Sequence, residues 1–61
     1  MTIGQRVRLQ REKKGLTQKQ LAEMLYVDAS LVSRWEKGQR EIPLVTLVQI
    51  MEILEINNEV D

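Results

Sequence analysis

Residues 16–40, LTQKQLAEMLYVDASLVSRWEKGQR, decide how the rest of this chain is read. Two short helical patterns stand on either side of a two-residue break, Tyr26 and Val27. Thr17 opens the first, with Gln20 three positions on. At that spacing a hydroxyl and a side-chain amide satisfy each other's orphan backbone N–H groups, forming a capping box. Leu21, Ala22 and Leu25 then recur at helical spacing and predict an inward stripe. Asp28 is a further cap candidate, and Ala29 to Lys37 follow as a short helix with Val32 and Trp35 facing in. Gly38 stops that helix, because a glycine tolerates the left-handed conformation in which helices commonly end.

The same punctuation extends outward. Thr2 and Gln5 repeat the capping box at the start of a helix running through Arg6, Val7 and Arg11 to Lys14, and Gly15 ends it. Beyond Gly38, the loop Gln39 to Ile42 leads to Pro43, which suits the start of a helix. That helix is predicted from Leu44 to about Leu54, with Leu44, Leu47, Val48, Met51 and Leu54 as its inward stripe. Asn57 is placed to cap a further turn. No strand pattern, repeat or linker interrupts the chain. The expectation is one all-α domain over residues 1–61, with four to five helices and short connections.

Length and composition set the bounds on function. With 61 residues the chain buries only about 60% of its unfolded surface, so its core is small. It has no cysteine and no histidine. That removes the thiolate metal site, the disulfide and the commonest general base and metal ligand, so neither an enzyme nor a metal or cofactor site is expected. No apolar run approaches the roughly 18 residues of a membrane span, and the opening MTIGQRVR lacks the apolar core of a secretory signal. A cytoplasmic protein is therefore expected, with no membrane and no evident small-molecule ligand among its partners.

The formal net charge is zero, but the charges are segregated. Residues 1–40 hold all nine basic side chains against four acidic ones, a balance of +5. Residues 41–61 hold five acids and no base, a balance of −5. Such a chain can turn one basic face toward a polyanion while its acidic end lies elsewhere.

Two short helices joined by a tight turn, the second exposed and basic at its end, form a helix-turn-helix, here at about residues 17–37. The stretch quoted above resembles the lambda-repressor/Cro-type, or XRE-family, DNA-binding domain. The likeness rests on Leu-Thr-Gln at the start, Leu-Ala in the second helix, Val ending the turn, a hydroxyl and an aliphatic in the third helix, and then Glu, a basic residue and Gly. It extends over residues 3 to about 56 and implies a compact four- to five-helix lambda-repressor-like fold with a central helix-turn-helix.

The resemblance implies double-stranded DNA as partner, with Ala29, Ser30, Ser33 and Arg34 facing base edges in the major groove. Arg34 is the strongest candidate reader, since its fork matches guanine O6 and N7. Thr17, Gln18, Lys37, Gln39 and Arg40 fall where the family contacts phosphates, and a helix N-terminus is physically suited to an anion. Lys14 and Lys19 add longer-range attraction. Asp28 is expected to cap rather than to read cytosine, and Trp35 to serve the core. Arg11 and Glu36 match positions that pair in relatives, implying a structural ion pair. Tyr26 departs from the pattern, occupying a turn position usually held by glycine.

Proteins of this kind bind palindromic sites as dimers. Val45, Ile53 and Ile56, with Ile50 and Leu9, exceed what one core-facing stripe requires and suggest a homodimer surface. The expected function is thus a sequence-specific transcriptional regulator, a repressor, of bacterial or phage type and associated with the nucleoid when bound. The alternative is a protein-interaction module of the same fold, an antitoxin or regulator partner that binds DNA weakly or not at all.

Overall fold

The structure is a computed structural model that describes residues 1–54. Four helices follow one another: α1 (Ile3–Lys13), α2 (Gln18–Leu25), α3 (Ala29–Glu36) and α4 (Leu44–Leu54). Together they form the all-helical, lambda-repressor-like arrangement.

Local chemistry explains where the first helices begin. Both capping boxes are closed. Thr2 N donates to Gln5 Oε1 at 2.9 Å and Gln5 N to Thr2 Oγ1 at 3.1 Å; the Thr17–Gln20 pair does the same at 2.8 and 3.0 Å. Asp28 departs from the sequence expectation. It occupies the N-cap of α3 with extended backbone but makes no side-chain cap hydrogen bond. The N–H its carboxylate would take, that of Leu31, already donates to the Asp28 carbonyl at 3.0 Å.

The helix ends share one device. Gly15, Tyr26 and Gly38 all have positive φ, at 74°, 60° and 77°. In each case the following residue's N–H reaches back five positions: Leu16 to Arg11, Val27 to Ala22, and Gln39 to Arg34, at 3.1, 3.0 and 2.9 Å. The left-handed residue itself donates three positions back, to Glu12, Glu23 and Trp35 respectively. These are Schellman closures, which satisfy carbonyls the helix would otherwise leave open and bend the chain sharply toward the next element. Two of them use glycine. The third holds a tyrosine where an L side chain crowds the backbone at a cost of roughly 1–2 kcal/mol, and that tyrosine is 95% exposed.

The core is formed by Val7 of α1, Leu21 and Ala22 of α2, Val32 and Trp35 of α3, and Ile50 and Leu54 of α4, all buried. Leu16, Leu25, Val27, Ala29, Leu31, Ile42, Leu47 and Ile53 pack around them. The inward faces of α2 and α3 are those the periodicity predicts.

In α4 the predicted face is wrong by about a quarter turn at 3.6 residues per turn. Leu44 and Val48, expected inside, are 75% and 47% exposed. Ile50 and Ile53, expected as surplus, face the core, with Ile50 fully buried. Apolar residues ring so much of this helix that spacing cannot choose a side. The choice is made by the surface that α1 and α2 leave open. Of the suggested dimer residues, Val45 is 72% exposed, Ile53 is withdrawn into the core packing, and Ile56 lies outside the described residues, as does the cap suggested at Asn57.

Gly4 was not singled out by the sequence pattern, yet it sets how closely α1 approaches α3. A Cβ at this position would fall onto the Trp35 carbonyl oxygen and within 3.0 Å of the Glu36 carbonyl oxygen. Both obstacles are backbone and cannot swing aside. Gly4→Ala is therefore expected to destabilise the domain by about 1–3 kcal/mol, the usual penalty for overpacking, despite the better helix propensity of alanine. Chemical denaturation followed by Trp35 fluorescence measures this; an unchanged or raised midpoint would refute the close approach.

Candidate nucleic-acid interface

Helices α2 and α3 make the most extensive inter-helix contact among the described residues, and the short segment Tyr26–Asp28 joins them. Burying Val32, Trp35 and Glu36 turns the opposite side of α3 to solvent. Ser30, Arg34 and Lys37 are exposed there, at spacings of four and three residues, which places them on one face. Ser33 is half-buried beside them. Ala29 is also half-buried and packs against the core, so its methyl is less available than its sequence position implies.

Gln39 and Arg40 continue the exposed surface beyond the Gly38 closure. Arg34, Lys37 and Arg40 have no ion-pair partner among the described residues. At the start of α2, Lys19 is exposed as well. The Thr17 N–H, a candidate phosphate donor, is occupied by Gln20 Oε1. The capping box also engages the Gln20 N–H. The N–H groups of Gln18 and Lys19 are left as the open donors of this helix end, where the positive end of the peptide dipoles lies.

Beneath this surface lies a buried polar network. Arg11 Nε donates to Glu36 Oε2 at 2.7 Å and Arg11 Nη2 to Glu36 Oε1 at 3.1 Å. Arg11 Nη1 donates to the Leu16 carbonyl at 2.7 Å. Gln18 Nε2 adds a third bond to the carboxylate, reaching Glu36 Oε1 at 3.0 Å. Arg11 and Glu36 are 7% and 5% exposed. The hydrogen bonding that Arg11 donates to Glu36 raises the Arg11 pKa above its already high ordinary value, with the charges of Glu36 and Glu12 adding to it against the opposing effect of burial. The guanidinium is thus permanently charged. The Arg8–Glu12 pair at 3.2 Å is exposed and contributes little by comparison.

Gln18 is thereby placed differently from a free surface residue. One N–H of its side-chain amide is committed to Glu36, which positions the side chain at the N-terminus of α2. Nothing local in the sequence reveals that a carboxylate from α3 comes within reach of this amide.

Replacing Arg11 with Met would strand the Glu36 carboxylate with Gln18 as its one remaining side-chain donor. The expected loss is about 3–5 kcal/mol, the cost of breaking a buried pair. On a domain this small that is most of the folding free energy. Urea unfolding of Arg11→Met reads the loss directly; a change below about 1 kcal/mol would mean that the pair does not hold the fold.

Comparison with known proteins agrees with this geometry. A family model described as "Helix-turn-helix" matches residues 7–57, most of the chain. No curated protein and no solved structure matches it significantly. With the two capped helices, the tight turn and the exposed basic face of α3 in place, the chain belongs to the Cro/C1-type, or XRE, family of helix-turn-helix DNA-binding domains.

Proposed function

We propose that this protein is a sequence-specific regulator of transcription, a repressor, that docks α3 in the major groove of double-stranded DNA. The observation carrying this reading is the solvent face of α3. Ser30, Arg34 and Lys37 stand exposed on it without intramolecular ion pairs, while the other face is locked into the core. Arg34 is the principal reader, by a bidentate pair to guanine O6 and N7. Ser30, Ser33 and the partly withdrawn Ala29 add short-range contacts of lesser discrimination. Gln18 and the open N–H groups at the start of α2 hold one backbone; Lys37, Gln39 and Arg40 hold the phosphates past the end of α3. Thr17 contributes through its capping box rather than through its own N–H.

A dimer on a palindromic site completes the proposal. The exposed apolar residues Leu44, Val45 and Val48 of α4 are the surface that supports it, with half-sites about one helical turn, roughly 34 Å, apart. Val45→Glu is expected to leave the fold intact and to weaken binding to a two-half-site duplex far more than to a single half-site. Equal affinities for both variants and both duplexes in sedimentation and titration experiments would count against this surface.

DNA binding itself is tested by selecting duplexes from a random pool and titrating the selected sequence at several salt concentrations. With Lys37 and Arg40 neutralising two phosphates per domain, the slope of log K against log salt should be about −2 for each domain bound. Arg34→Ala should weaken the selected duplex by about tenfold or more, the worth of one bidentate base contact, and random duplex by much less. Equal losses on both would reduce Arg34 to a backbone contact. Absence of salt-dependent binding would instead favour a protein-interaction module of the same fold.

A further inference from the structure

We propose that Tyr26 is a DNA-backbone contact, its phenolic hydroxyl donating to a phosphate oxygen and its ring lying along the sugar edge beside the start of α3. This rests on the DNA-docking role of α3 and adds to it a residue that the family pattern does not supply, since that pattern has glycine at this position.

The chain provides its own controls. Three helices end in the same Schellman closure, with matching hydrogen bonds and matching left-handed backbone. At Gly15 and Gly38 the closing residue carries no side chain and incurs no strain. At Tyr26 the same backbone carries the bulk of a phenol ring. A non-glycine residue in this region persists when something else compensates it.

Among the described residues nothing does. Tyr26 is the most exposed large hydrophobic side chain among the described residues, at 95%, and makes no side-chain hydrogen bond there. Val27 and Ala22 supply the apolar contact of the closure, so the ring is not needed to seal it. The ring is thus open to a contact from outside the described domain.

Its position indicates what that is. Tyr26 stands two residues before the N-cap of α3, at the edge where the recognition helix begins. Asp28 puts a negative charge on that same edge, and its carboxylate is not absorbed by capping. An uncharged donor on a flat apolar body suits a phosphate-lined groove wall there; tyrosine is among the side chains that bond phosphate oxygens. The left-handed backbone fixes the Cα–Cβ direction at which the side chain leaves the turn, and a tyrosine has only two χ angles to order on binding.

The test sets Tyr26→Gly and Tyr26→Phe against wild type, using the duplex that wild type selects from a random pool. Tyr26→Gly relieves the backbone strain and should raise the melting temperature by roughly 4–8 °C, yet bind that duplex roughly fivefold to twentyfold more weakly. Tyr26→Phe should lose several-fold in affinity with little change in melting temperature, since only the hydroxyl is removed. Because the phenol is uncharged, both variants should keep the wild-type salt slope. Lys37→Ala, measured alongside, should lower that slope by about 0.9.

If wild type binds while both Tyr26 variants bind equally well, the contact is overturned and the DNA-docking role stands. A melting temperature that falls in Tyr26→Gly would overturn it too, by showing that the ring serves the fold. Should wild type itself select no duplex, the docking role fails and the contact falls with it.

Discussion

Two opposite charges buried beside the core of seven apolar side chains make the Arg11–Glu36 pair the constraint on which the rest of this small domain depends. Removing such charges from water is costly, and mutual attraction offsets the cost only when the remaining polar atoms are also matched. Here they are. The guanidinium fork meets both carboxylate oxygens, its third nitrogen takes the Leu16 carbonyl, and Gln18 supplies a further donor to the carboxylate. Four segments therefore meet at one point: the end of α1, the loop after it, the start of α2 and the end of α3. Apolar packing alone would tolerate small slippage among those segments. A fork-to-carboxylate geometry does not, and the elements it fixes are those that carry the candidate DNA-contacting residues.

Close approach and tight closure do the rest. Gly4 lets α1 lie directly on the backbone at the end of α3, which brings Arg11, two turns further along, over Glu36. The Schellman closures at Gly15 and Tyr26 reverse the chain within a few residues. They allow α2 to begin beside Arg11 and α3 to begin beside α2. Longer connections would cost only modest extra closure entropy, but they would loosen the angle between α2 and α3, and the outward face of α3 would no longer be held against the start of α2.

Elements governed by near neighbours in sequence were legible in it. Both capping boxes depend on residues three apart, and the glycine closures depend on one residue each; the helix bounds followed from these. The inward faces of α2 and α3 followed because polar residues cover their other sides. Helix α4 lacks that contrast, so its face was decided by the cavity it fills, and Ile50 rather than Leu44 went inside. Asp28 looked like a cap because its chemistry is right, but a competing backbone bond to Leu31 took the donor. Ala29 was placed by family position on the groove face, while the tightness of the turn draws it toward the core. Gln18 reaching Glu36 joins residues 18 apart, and Gly4 meets residues more than thirty positions away. Neither contact leaves a local trace.

The charge distribution gains meaning from the same network. Of the nine basic residues, Arg11 is consumed inside the protein and Arg8 is paired on the surface with Glu12. Arg34, Lys37 and Arg40 lie on or next to the outward face of α3, whereas α4 contributes Glu52 and no base. A neutral chain can therefore present a positive field over one face, because field strength near a surface depends on the nearest charges and is screened over about 8 Å at physiological salt. That same sparseness limits recognition. The solvent face of α3 carries a single long donor side chain within the helix, Arg34, among serines and a half-buried alanine, and one bidentate base pairing would supply only about 1–3 kcal/mol of discrimination. In the proposed dimer on a palindrome, a domain so equipped would gain selectivity by doubling the contact and by precise placement of its backbone contacts. Under that proposal, rigidity at Arg11–Glu36 and the tyrosine at the turn before α3 would serve such placement more directly than additional charge.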